Sequence, residues 1–187
     1  QKAAELKHRA VALTDTGNMM AAFHFEKAAS NYNAKVRDER KLAEENGEPF
    51  DKEEIIPIIG CEFNVCRNLN DKTVKDNGYQ VVLLAKNKNG YQNIIKLASI
   101  AYTKGMYYVP RVDKEVIEQY KEDIIVLSGN LYGEIPNLIL NVGEKQAEEA
   151  LLWWKQQFGA DFYIELSRHQ LETEDRVNPI LVQLARQ

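Results

Sequence analysis

Five short apolar runs, each the length of a strand, are separated by segments with helical periodicity, and this alternation narrows the fold most. The runs cover residues 10–14, 55–65, 81–85, 124–127 and 162–166. They are continuously apolar rather than alternating, which reads as strands covered on both faces. Helical patterns fill 18–45, 91–102, 114–120, 134–140, 144–158 and 174–186, with Pro179 placed near the first turn of the last. Strands alternating with helices predict an α/β protein, a mostly parallel sheet or barrel with outer helices. The 187 residues suffice for a single domain with one core.

Two stretches depart from the pattern. Residues 33–54 are mostly charged and carry the turn signal Asn46-Gly-Glu-Pro49, so they read as a solvated helical extension. Residues 19–25, Met-Met-Ala-Ala-Phe-His-Phe, are apolar and should pack on the sheet. The chain opens without Met on a segment that looks mid-helix, and it ends within a helical pattern. Both ends suggest a piece of a longer protein.

Several classes of function are excluded. The net charge of -4 gives no basic field for tight non-specific DNA binding. There is no run of about 18 apolar residues to cross a membrane, and the charged, helical first residues are not expected to be a signal peptide. No phosphate-cradling loop, nucleophile elbow or dinucleotide fingerprint occurs. Cys61 and Cys66 stand five apart on one strand and so point to opposite faces, as buried reduced thiols rather than a bridge. A two-cysteine metal site is the alternative.

Polar residues gather where the strands stop: Asp15 and Thr16, Glu62, Gln80, Asn130, and Glu165 with His169. In parallel α/β proteins this is where ligands bind. Glu62 lies inside an apolar strand, where a carboxylate needs a metal, an arginine or several donors. A satisfied structural carboxylate is the simpler reading, and likewise a hydrogen-bonded structural histidine for His169. Only these two are convincing metal ligands, with Asp15 and Glu165 in reserve, whereas a zinc site wants about four. The loop carrying Lys104, Tyr107, Tyr108 and Arg111 could stack a base or hold a phosphate. Tyrosines packed on the domain are the better reading.

Nine segments occur in an order that resembles one family. They include Ala12-Leu-Thr-Asp-Thr-Gly-Asn-Met19, Pro57-Ile-Ile-Gly-Cys-Glu62, Val82-Leu-Leu-Ala-Lys-Asn87, Gly90-Tyr-Gln-Asn93 and Ala101-Tyr102. The series continues with Tyr107-Tyr-Val-Pro-Arg-Val-Asp113, Leu127-Ser-Gly129, Gly133-Glu-Ile-Pro136 and Phe162-Tyr-Ile-Glu-Leu166. Together they resemble the PHP domain (polymerase and histidinol phosphatase) of the bacterial DNA polymerase III alpha subunit. The resemblance implies a distorted seven-stranded (βα) TIM-like barrel. Residues 1–187 would be one PHP domain without its first strand and its C-terminal part, and 33–54 an insertion.

In metal-binding members, histidines, a glutamate, a cysteine and an aspartate hold up to three metals for phosphoester hydrolysis. This chain keeps Glu62 and His169 of that pattern. Thr16, Gln80 and Asn130 stand where the pattern has histidine, histidine, and cysteine or histidine. Amides and hydroxyls bind transition metals poorly but can satisfy one another.

The resemblance therefore implies a retired site, no cofactor, and a structural and subunit-docking role in a cytoplasmic replicative polymerase. That parent would be a nucleotidyltransferase. Its partners would be the rest of the alpha subunit, a proofreading exonuclease subunit and, through the parent, DNA. The alternative is an active phosphoesterase or 3′-5′ exonuclease using Zn or Mn/Mg, with Glu62, His169 and ligands from outside the chain. A barrel short of strands also leaves open edges, so self-association through an edge or poorly ordered ends is expected.

Overall fold

The computed structural model describes residues 2–186. In chain order the elements are α1 (Lys2–Glu5), β1 (Ala10–Thr16), α2 (Ala22–Asn46), β2 (Ile56–Cys66), β3 (Tyr79–Ala85) and α3 (Lys88–Thr103). Then come β4 (Arg111–Asp113), α4 (Lys114–Gln119), β5 (Ile124–Leu127), α5 (Glu134–Asn141), α6 (Glu144–Phe158), β6 (Phe162–Tyr163) and α7 (Glu172–Leu184). The six strands form one open sheet in the order β1-β2-β3-β5-β6, with β4 beside β2. The architecture is α/β and mostly parallel, consistent with part of a (βα) barrel.

One strand breaks the parallel expectation. β3 runs antiparallel to both β2 and β5, while β1, β4 and β6 run parallel to their partners. Residues 67–78 between β2 and β3 contain no helix. A parallel return needs a crossover of a dozen residues or more, usually helical, so this loop turns the chain straight back. The reversal matters for the site. It brings Gln80, at the start of β3, opposite Asn64 near the carboxyl end of β2. A parallel β3 would put Gln80 at the other end of the sheet.

The strands are not covered equally on both faces. Along β2, Cys61, Phe63 and Val65 are buried, while Glu62 and Asn64 between them are half-buried. In-register partners share a face. Cys61, Phe63, Val65, Val81, Leu83 and Val126 therefore form the face packed against α3, α5, α6 and α7, in a single apolar core. Thr16, Glu62, Asn64 and Gln80 lie on the opposite face. β1 and β6 each pair on one side only, and Ala12 of β1 is exposed, which corrects the fully covered reading of that strand.

Residues 19–25 meet expectation only in part, since Met19 packs against the core and Ala22 is buried. Met20 is 79% exposed and Phe23 67%, so neither packs on the sheet. Only Ala22, Val36 and Ala43 of α2 are buried. The helix is instead tied to the segment that returns along it. Ile55 N–H donates to Asn33 Oδ1 at 2.8 Å, and Asn33 Nδ2 donates to the Ile55 carbonyl at 2.9 Å. Glu54 pairs with Arg37 and Arg40, and Lys52 with Glu39. Gly47 closes the helix in the left-handed region at φ 69°.

Three smaller boundaries shift. α3 starts at Lys88 rather than 91, because the Asn87 side chain accepts from the Asn89 and Gly90 N–H groups. Only Phe162–Tyr163 of the last apolar run joins the ladder. Pro179 sits well inside α7, not in its first turn.

Candidate functional site

The strand-end cluster forms where β1 stops against β2. Thr16 lies opposite Glu62 in the parallel register, so both side chains rise from one face. The Thr16 hydroxyl donates to Glu62 Oε1 at 2.8 Å, and Gly17 N–H donates to the Glu62 carbonyl at 2.7 Å. Gly17 has φ 70° and a Cβ there would meet Pro110 Cγ at 2.9 Å, so the turn that ends β1 needs glycine. Asp15 alternates away from this pair.

Across the sheet a second pair forms. Asn130, in the turn after β5, donates from Nδ2 to Gln80 Oε1 at 3.3 Å. The turn is closed locally, since Tyr132 N–H donates to Asn130 Oδ1 and Gln80 N–H donates to the Tyr132 carbonyl. Glu165 follows β6, and its N–H donates to Ser128 Oγ at 2.9 Å. Burial raises the Glu165 carboxyl above its ordinary value, and the nearby Glu62 charge adds to the rise. Beneath the cluster Cys61 is buried and free, and burial pushes its thiol up to about 12.

His169 stands apart. Its ring is tied to Glu174 of α7, with Nδ1 at 2.8 Å from Oε1. Among the described residues, no group of three or more His, Cys, Asp or Glu side chains could hold a metal ion. Thus Thr16 and Glu62 come together, Gln80 and Asn130 come together, and His169 pairs with Glu174. The donors among the described residues do not fit the multi-metal centre of metal-binding members. Every buried side-chain N or O among the described residues already has a partner.

The aromatic loop is corrected at its arginine. Arg111 is completely buried in β4. Its Nε donates to the Gly105 carbonyl at 3.1 Å and its Nη1 to the Asp76 carbonyl at 2.7 Å. Its Nη2 donates to the carbonyls of Leu69 and Asp71 at 3.4 and 3.3 Å. With four of its five N–H donors on carbonyls and no exposure to solvent, this guanidinium is withheld from an incoming phosphate. Lys104 and Tyr108 are exposed and Tyr107 is half-buried, with the two tyrosine rings edge-to-face at 4.7 Å.

Sequence reasoning missed β4, because a three-residue strand reading Arg-Val-Asp looks like a loop. Asp113 does cap α4 through Val116 N–H as expected, and it also accepts from Leu69 N–H. Arg111 thereby gathers the β2–β3 loop, which walls a crevice of about 740 Å³ that also meets Lys114 and Glu134. None of Thr16, Glu62, Gln80, Asn130 or His169 lines it. Lys114 and Glu134 pair at 2.7 Å, and Trp154 Nε1 donates to the same carboxylate. Glu174 was missed too, because leucine occupies the cap position before it and so no capping-box pattern is visible.

An open, mostly parallel α/β sheet with polar residues at its strand ends defines a class built to carry chemistry there. The PHP domain family matches residues 1–169, and the chain belongs to it. It is 38% identical over 188 residues to the DNA polymerase III subunit alpha of Treponema pallidum, covering 98% of this chain. The corresponding Borreliella burgdorferi protein is 38% identical over 181 residues and that of Thermus aquaticus 36% over 182, each covering 95% of the chain. The chain spans only 13–14% of the length of these relatives.

Proposed function

We propose that this chain is the PHP-domain portion of a replicative DNA polymerase III alpha subunit, and that its metal site is retired. The observation that supports the retirement is that each replaced position has a hydrogen-bond partner within the cluster. Thr16 hydrogen-bonds Glu62, and Asn130 hydrogen-bonds Gln80, so the side chains satisfy one another without a cation. The domain then serves as a structural and docking module, with residues 33–54 an insertion on its surface. Its fold is a distorted seven-stranded TIM-like barrel whose remaining strand closes against an open edge of this sheet. The parent protein carries out DNA-directed nucleotidyl transfer in the cytoplasm. Its partners are the rest of the alpha subunit, the proofreading exonuclease subunit and DNA. In isolation the open edges at β1 and β6 favour self-association.

Metal analysis of the purified chain and of its full-length parent tests this. We expect substoichiometric zinc and manganese and no phosphodiesterase activity. Stoichiometric metal, with activity lost on Glu62→Ala, would overturn it in favour of a metal-dependent phosphoesterase or exonuclease. One observation keeps that second reading in play: the His169 ring is held by a carboxylate, as the rings of metal-ligating histidines are.

A further inference from the structure

The contact between His169 and Glu174 has an unusual balance. The His169 side chain is 72% exposed and that of Glu174 only 3%. A structural histidine buries its ring and takes a partner from its surroundings. Here a buried carboxylate holds a ring that lies in solvent.

Capping α7 explains only half of Glu174. Its Oε2 accepts from the backbone N–H groups of His169 and Leu171, which satisfies donors at the helix start. Its Oε1 is left over for that task, yet it lies 2.8 Å from His169 Nδ1. Fixing an exposed ring costs rotamer entropy and buries almost nothing in return. The bond therefore acts on the ring and not on the core. An ionised carboxylate only accepts, so Nδ1 must carry the proton of a neutral imidazole. Among the described residues Nε2 has no hydrogen-bond partner.

We propose that Glu174 is a positioning residue that fixes His169 as the Nδ1–H tautomer, with the Nε2 lone pair facing outward as an acceptor. The proposal rests on reading His169 as a retained position of the PHP site. It holds whether or not a metal is ever bound. A hydroxyl or N–H donor arriving from outside this chain would meet a nitrogen already set to accept from it.

The chain has three histidines, so imidazole ¹⁵N NMR resolves them, and His8 and His24 serve as internal references. Above the titration range we expect His169 as the Nδ1–H tautomer and the other two as the mixture usual for free imidazole. Glu174→Gln is the discriminating variant. Its amide oxygen still caps α7, while its N–H₂ turns to Nδ1 and forces the proton onto Nε2. The variant should melt close to the wild type, lose the Nδ1–H signal and react more slowly with diethyl pyrocarbonate at His169 than the wild type does. Rates at His8 and His24 should not change. A tautomer mixture at His169 in the wild type, or an unchanged tautomer in Glu174→Gln, would overturn the proposal. Should the variant fail to fold, the wild-type tautomer alone decides. Metal analysis is not involved, so failure here is distinct from failure of the retired-site reading.

Discussion

Two polar regions of this molecule, a few residues apart along β2, are built on opposite principles. Around Arg111 a guanidinium is wholly buried and donates to four backbone carbonyls drawn from two loops. At the strand ends, Thr16, Glu62, Gln80 and Asn130 are exposed or half-buried and bond mainly to each other. The first region is committed to the fold, because removing its cation strands several carbonyls in a dry place. The second is a set of small, replaceable contacts on an open face. A polar cluster that can be exchanged without unfolding the chain is where a site can lose its metal ligands and the domain survive.

The largest effect should come from the committed region. Arg111→Met is expected to cost about 4 kcal/mol, the range for removing one partner of a buried charged network. Urea unfolding followed by circular dichroism measures it. Gly105→Ala should reach the same hub from outside, since its Cβ would sit 1.9 Å from the Arg111 carbonyl oxygen and force β4 to shift. A loss below about 1 kcal/mol for Arg111→Met would erase the contrast between the regions.

The sheet and its helices were legible because apolar runs and helical periodicity speak directly of burial. Both thiols were also placed correctly as buried and free, on the rule that five residues along a strand change faces. The direction of β3 was not read, although the helix-free loop at 67–78 carried the signal. Arg111 was misread for a physical reason. An arginine that directly follows two tyrosines, a valine and a proline looks like a nucleic-acid contact, and only the fold shows carbonyls from residues 69, 71, 76 and 105 converging on it. Met20 and Phe23 were assigned to the core on hydrophobicity alone, which does not say what lies opposite them. The polar pattern placed Thr16, Gln80 and Asn130 at the strand ends, and only their match to ligand positions came from resemblance. Their pairing was foreseeable only as a chemical capacity, and nothing in their spacing gave the partners.

A smaller effect, of opposite sign, is expected at Glu165. Its folded carboxyl is raised by burial and then by Glu62. Between the ordinary carboxylate range and this raised value, the folded state holds a proton that the unfolded state has released. Stability from this group is therefore full below the unfolded value and falls as pH rises through the folded one. Glu165→Gln removes that loss. Its urea midpoint should exceed that of the wild type at neutral pH and approach it in acid. A midpoint lower at neutral pH would place Glu165 with Arg111, among the groups the fold needs.

The smallest effect tests whether the strand-end pairs matter to one another at all. Gln80→Ala and Asn130→Ala should each cost no more than about 1 kcal/mol, because both side chains are only partly withdrawn from water. The bond between them is long, at 3.3 Å, so the coupling in a double-mutant cycle should be about 0.5 kcal/mol. A coupling several times larger would mean that the amides form a rigid bridge between β3 and the β5 turn. The face would then be part of the structure, and placing metal ligands there would carry a folding cost. The weak coupling expected from the geometry argues the other way. Water can replace either amide, and substituting histidine and cysteine at these positions should leave the chain folded.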